Sequence, residues 1–219
     1  MFSSRPTIVY HQHWPLFTAT IVTAKMTENL PKNISAQKVN SDGNAAVQEQ
    51  TNNISLPRLS PAEFKLYNRL AEKMDYFHNH FRRSWNHFYT ACANNERLTG
   101  VSIRQFIMMG LNFCSQLGAH HMIEEEHVFP ILAKKMPEFC KEVELLLQHK
   151  QIHAGMDRLE DYLKRCLSGT TDLRLDEMKR LIDGFGVVLW AHLDDEVRAL
   201  GAENMRKYWT LEEMTRLPI

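Results

Sequence analysis

No stretch of this chain carries the roughly 18 consecutive apolar residues that a bilayer-spanning helix needs, so nothing reads as a membrane span. Neither sign of charge is in excess, with Lys+Arg 26 against Asp+Glu 26. That balance leaves no electrostatic footprint for a nucleic acid or an anionic membrane surface. Cysteine is sparse: Cys92, Cys114, Cys140 and Cys166 stand far apart with no C-x-x-C pair, which excludes a zinc knuckle and a thioredoxin-type motif. Each falls in an expected helix, where a buried free thiol is the ordinary reading, and the implied compartment is reducing, that is, cytoplasmic. Alternation of apolar and polar residues with period two is missing, so no sheet is expected. The zincin pattern His-Glu-x-x-His is also missing.

What remains is a chain of 219 residues with 44% hydrophobic content, enough for one domain with a substantial core. Residues 1–59 differ in composition from the rest. They are rich in Asn, Ser, Thr and Gln, and Asp42-Gly43-Asn44 is turn-like, so this extension is expected to be disordered. Its first part has no acidic residue before Glu28 and weakly resembles a mitochondrial-type transit peptide, the alternative to a cytoplasmic location. Asn33–Ser35 and Asn53–Ser55 match glycosylation sequons, which mean little without a secretory signal.

From Ser60 the signals are helical. Ser60, Pro61 and Glu63 combine an N-cap, a proline at the first helical position and a capping-box glutamate. The apolar stripe Leu66, Leu70, Met74, Phe77, Phe81, Trp85, Phe88 predicts a first helix ending near Cys92, with His78 on it. A second helix starts after Ser102, with Gln105 in the capping-box position, and runs along Phe106, Gly110, Phe113 and Leu117 to His120 and Glu124. Pro130 should kink or stop it. A third is expected from Pro137 to Leu167, with Leu146, His149, His153, Met156 and Leu163 on one face. The fourth runs from about Leu175 through Met178, Ile182, Phe185, Leu189, His192 and Glu196 toward Gly201. Short loops and 3-then-4 spacing predict an all-α, up-down-up-down antiparallel four-helix bundle over residues 60–205. A tail, 206–219, follows, with Thr210 capping one more short turn.

Histidine is the compositional outlier, with 11 in the chain, nine of them between residues 78 and 192. His120 and Glu124, His149 and His153, and His192 and Glu196 are each four apart, one turn along a single helix face. A lone histidine on an apolar face is more often a satisfied core residue than a ligand. The set argues otherwise. Buried carboxylates are costly unless paired or metal-bound, and seven inward polar side chains without a metal would leave the core badly unsatisfied. His78, His120, Glu124, His149, His153, His192 and Glu196 are therefore the candidate ligands. Seven are too many for one tetrahedral zinc. Five imidazoles with two carboxylates favour a pair of iron ions, with manganese or a mixed pair as the alternative. Ferritin-like carboxylate bundles need two Glu-x-x-His pairs, and here Glu124 and His127 stand alone in that spacing. Two choices stay open: His80 competes with His78, and His121 with Glu125 competes with His120 and Glu124. His87 and His127 read as solvated or as groups that support ligands from behind, and Glu125 and Glu126 as a solvated face or as groups orienting a ligand from outside.

The run His120-His121-Met122-Ile123-Glu124-Glu125-Glu126-His127-Val128-Phe129-Pro130, with His149-Lys150-Gln151-Ile152-His153, resembles the hemerythrin-like, or HHE cation-binding, family. The segment around His78 and the tail Leu211–Pro218 are similar to fungal members. The resemblance covers about residues 66–200. It implies that His149, His153 and His192 hold one iron and His78 and His120 the other, which keeps an open position, with Glu124 and Glu196 bridging. It further implies dioxygen or a small-molecule ligand as partner, in oxygen binding or sensing, in a diiron oxidase or oxygenase acting on a small organic substrate or peroxide, or in iron handling and repair. Phe77, Phe81, Phe113, Phe185 and Trp190 are candidates to line the ligand pocket. The oxygen carriers of the family place an aspartate five residues after the last histidine. Here that position is Val197, and Glu196 takes the role one residue earlier.

Overall fold

The computed structural model describes residues 56–140 and 144–219. The expectations for residues 1–55 lie outside them.

All regular structure among the described residues is helical. Four long helices dominate: α1 (Pro61–Ala93), α2 (Ile103–Ile123), α4 (Glu144–Leu167) and α5 (Leu175–Ala199). Short helices α3 (Phe129–Leu132), α6 (Ala202–Tyr208) and α7 (Leu211–Arg216) complete the set. The caps read from sequence are present. Ser60 accepts from the Glu63 amide while Glu63 returns a bond to the Ser60 amide, and Ser102 with Gln105 and Thr210 with Glu213 do the same. Gly100 (φ 76°) and Gly169 (φ 77°) turn the chain in the left-handed region between long helices. No helix among the described residues is long and apolar enough to cross a membrane.

α1 packs against α5 and α2, and α4 packs against α5 and α2, so the long helices close a ring. Their inner faces form two apolar clusters. One contains Phe81, Trp85, Phe88, Phe106, Phe113, Leu117, Ile152, Met156, Phe185 and Leu189. The other contains Tyr67, Leu70, Met74, Phe129, Phe139, Leu145, Leu200 and Trp209. α1, α4 and α5 pass from one cluster to the other, α2 is continued into the second cluster by Phe129 beyond its end, and at each crossing the chain carries buried polar residues. These are His78 on α1, His121 on α2 with Glu124 just beyond its end, Gln148 and His149 on α4, and His192 and Glu196 on α5. The polar layer is thus sealed on two sides by hydrocarbon, which lowers the local dielectric and makes every polar group there depend on its partner.

Three details depart from the sequence expectation. The helix expected from Pro137 does not run unbroken: Pro137–Phe139 is a single tight turn, Cys140 is extended (φ −71°, ψ 159°), and α4 is described from Glu144. That turn seats Phe139 against Phe129, with ring centroids 5.2 Å apart. The α1 stripe is offset at one end, with Tyr67 buried and Leu66 and Phe77 half-buried. Residues 206–219 fold back on α1. Tyr67 donates its hydroxyl to the Trp209 carbonyl (3.0 Å), and Arg69 donates to the carbonyls of Met214 (2.8 Å) and Leu217 (3.1 Å). Met214 is fully buried there, so this segment is part of the core.

Pro130 acts where its chemistry requires. Lacking an N–H, it cannot donate to the carbonyl of Glu126, and its ring crowds that carbonyl. The chain responds by widening: Glu124–Val128 form a π-turn in which the Phe129 amide donates to the Glu124 carbonyl, five residues back. The wide turn opens at the polar layer, three residues after His121, the last α2 histidine.

Candidate metal centre

Two groups of donor atoms converge in the polar layer. His121, Glu124, His149 and His192 form one, and His78, His120, Glu124 and Glu196 form the other; within each group the donor atoms lie within 4.8 Å of one another. Glu124 belongs to both. Its Oε1 lies 2.8 Å from His120 Nε2 and its Oε2 3.5 Å from His149 Nε2. Glu196 is similarly placed, with Oε2 3.3 Å from His78 Nε2 and 3.7 Å from His192 Nε2. His149 Nε2 and His192 Nε2 are 3.2 Å apart.

The outer nitrogens decide which way two of the imidazoles present their lone pairs. His78 Nδ1 lies 2.8 Å from the Leu193 carbonyl. A carbonyl only accepts, so Nδ1 carries the proton and Nε2 presents its lone pair to the layer. His149 Nδ1 lies 2.7 Å from Glu125 Oε1, and the same reasoning turns its Nε2 inward. Glu125 itself remains 41% exposed on its side chain, so it orients His149 from the solvent side.

Burial governs the protonation states. Desolvation, reinforced by His78 and His149, depresses His120 to about 3. Desolvation with neighbouring histidines holds His121 and His192 well below the usual imidazole range, and desolvation also lowers His149 despite the Glu125 hydrogen bond. Desolvation, then Glu196 and Glu125, raise Glu124 well above the usual carboxyl range. Depressed imidazoles around one carboxyl group, Glu124, that resists ionisation are what a cationic centre would reverse.

The donors fit such a centre on a structural observation. The Nε2 atoms of His78, His120 and His121 and both carboxylate oxygens of Glu124 and Glu196 are buried and make no hydrogen bond, although they crowd one another. A layer of orphaned donors facing common points costs several kcal/mol in the absence of a cation. Neutral imidazole with carboxylate suits iron, manganese or zinc, and two groups sharing Glu124 suit two ions.

Of the residues expected from sequence, His78, His120, Glu124, His149, His192 and Glu196 come together in these groups, and His121 joins them. His153 stands at the rim, half-buried, with Nε2 3.3 Å from His121 Nδ1. His80 is exposed and pairs with Gln116, while His127 is 69% exposed on its side chain. The signal for His121 lay in the stripe 106, 110, 114, 117, 121, 124, which continues the helical spacing as well as the one through His120 does. On α4 the buried positions run 145, 149, 152, 156, 159 and 163, a spacing that passes beside 153.

Aromatic rings cover part of the layer. Phe81 and Phe77 lie 5.1 and 5.7 Å from the His120 ring, and Phe129 lies 5.4 Å from that of His149. Phe113 and Phe185 pack instead on Trp85, and Trp190 is half-buried beneath the guanidinium of Arg82.

Residues 69–202 match the family model described as Hemerythrin HHE cation binding domain. Among curated proteins, the chain is similar to "Dimeric xanthone biosynthesis cluster protein R11" of Cryptosporiopsis sp. (strain 8999), at 28% identity over 152 residues, which is 66% of this chain. The match spans 56% of that relative's length. No solved structure matches the chain.

Proposed function

This chain belongs to the hemerythrin HHE cation-binding domain family, and from that premise we propose that it is a non-haem diiron protein that binds or activates dioxygen. The proposed scaffold is an up-down-up-down antiparallel four-helix bundle. The observation that carries the reading is Glu124, a fully buried carboxylate with one oxygen toward each of two histidine groups. Glu196 stands between His78 and His192 with a single oxygen, Oε2, facing both. His78 and His120 would serve one iron, and His149 and His192, with one further histidine, the other.

When bound, an iron pair supplies a redox-active Lewis-acid centre for dioxygen. The chain's own residues set its conditions. Leu193 and Glu125 hold His78 and His149 in the tautomer that leaves Nε2 free. The apolar clusters on either side exclude water. His120 is the group's most accessible donor, 11% exposed on its side chain between Phe77 and Phe81, so a small ligand reaches the layer from that side.

A second reading is a diiron oxidase or oxygenase acting on a small organic substrate. It is favoured by the relative whose printed name places it in a xanthone biosynthesis cluster. Anaerobic loading with ferrous iron, metal analysis and admission of air separate the readings. About two irons per chain and a visible band that reverses on removing oxygen support binding. A band that decays irreversibly as an added phenolic substrate is consumed supports an enzyme. Fewer than about two irons per chain and no band at all would sink the diiron proposal. His78→Ala and His192→Ala should each release about one iron, read by metal analysis of folded protein.

A further inference from the structure

Adjacent residues on α2 face different donor groups. His120 joins His78 and Glu196, whereas His121 joins His149 and His192. Consecutive residues are about 100° apart around a helix, so a neighbouring pair can straddle the axis between two ions while Glu124, one turn on, reaches both. His121 is fully buried, and its ring stacks on that of His149 with centroids 3.9 Å apart and planes 11° apart. Its Nε2 is buried and makes no hydrogen bond. Its Nδ1 faces His153 Nε2 at 3.3 Å. His153 is half-buried and falls outside both donor groups.

We propose that His121 supplies the third imidazole to the metal position formed by His149 and His192, and that His153 is a positioning residue that accepts a hydrogen bond from His121 Nδ1. The inference rests on the diiron reading and refines it. It departs from the ligand set that the family resemblance implies, in which His153 is the ligand. The chemistry is consistent from one end to the other. An imidazole that ligates through Nε2 must carry its proton on Nδ1, and that proton needs an acceptor when buried. His153 Nε2 is at the right place to accept it, with its own proton on Nδ1. His121 then relates to His153 as His149 relates to Glu125: a ligand nitrogen inward, an oriented N–H outward.

The test uses the full chain loaded with ferrous iron alone under anaerobic conditions. Iron per chain, affinity by chelator competition and imidazole number by X-ray absorption are the readouts. His121→Ala should lose about one iron per chain. Because alanine opens a void in the layer, His121→Gln is measured beside it, with folding checked by circular dichroism; it should show the same loss. His153→Ala should keep both irons with affinity lowered about 10–100-fold, as removal of an outer hydrogen-bond partner does. His153→Gln should recover much of that affinity, since its Oε1 can accept from His121 Nδ1 but is a poor substitute for a ligating imidazole. Full iron content in both His121 variants, or loss of an iron in His153→Ala without rescue by glutamine, overturns the inference and leaves the diiron reading standing. A wild-type chain that takes up no iron, or a His192→Ala variant that loses none, overturns the diiron reading and this inference with it.

Discussion

Glu125 lies one residue past the buried Glu124, yet its carboxylate reaches round the outside to the Nδ1 of His149. Sequence places it on the solvated face and raises its orienting role as an alternative; the 2.7 Å contact to His149 supplies that role. Removing it leaves His149 free to rotate or to change tautomer. Glu125→Ala should therefore weaken iron binding about 10–100-fold while leaving the fold unchanged, measured by chelator competition alongside a thermal melt. Unchanged affinity would mean that the His149 orientation is held by packing against Phe129 and His121 instead. The same scale explains why His120 and His121 were not separable from spacing. Both lie on stripes with three- and four-residue steps, and periodicity cannot say which of two neighbours, 100° apart, meets the core. A layer that holds two donor groups has room for both.

At the scale of the element, the approach of α4 to α5 is set by Gly155. A Cβ there would lie 2.4 Å from both Cβ and Cγ of Phe185, and that Cβ is fixed by the α5 backbone and cannot swing away. This contact lies two residues beyond His153 and about two α5 turns before His192, so it sets how closely the two helices can bring their histidines together. Gly155→Ala should cost about 1–3 kcal/mol as an overpacked core contact, read as a lower urea midpoint, and should weaken iron binding because the His149–His192 spacing widens. A neutral effect on both would show that the helices separate freely. The π-turn after α2 belongs at this scale as well. Pro130 signalled an interruption; that the interruption takes the form of a widened turn opening at Glu124, with α3 continuing to Leu132, depends on Phe129 and Leu132 finding the second apolar cluster.

For the molecule as a whole, a polar layer between two hydrocarbon clusters makes stability depend on protons and on metal. In the metal-free protein His120 is depressed from the ordinary 6.5 to about 3, and His121, His149 and His192 are depressed too. The folded state resists protons that the unfolded chain accepts, so this contribution is complete above pH 6.5 and is lost as pH falls toward about 3. Glu124, raised by burial, has the opposite sign: its contribution is complete below the ordinary 4.5 and is lost as pH rises through its raised value. Histidines outnumber that carboxyl, so the melting temperature of the metal-free protein should fall between pH 7 and pH 5, followed by calorimetry. A flat or rising profile would contradict the burial of these imidazoles. Bound iron should act in the stabilising direction. Metal at about 100 times its dissociation constant adds about 2.7 kcal/mol, or roughly 5–10 °C in melting temperature for a chain of this size, and a chelator should remove that increment.

Much was legible from the chain alone, for reasons that are local. Capping boxes at Ser60, Ser102 and Thr210 depend on residues three apart, and the long helices on apolar spacing within one segment; both are written in the sequence and both are present. Four-residue spacing marked His120 with Glu124 and His192 with Glu196 for the same reason, since a helix turn is a local geometry. Tertiary packing decided the rest. Whether His121 or His153 meets the layer depends on the rotation of α2 and α4 about their own axes, and that rotation is set by contacts with other helices: Leu117, Ile152 and Met156 against one cluster, Phe129 and Leu145 against the other. The return of residues 206–219 onto α1 rests on pairings across more than 140 positions, such as Tyr67 with Trp209, which no local pattern encodes. Helix formation is a short-range property of the backbone, whereas the facing of a helix is a property of its neighbours, and a metal centre is built from facings.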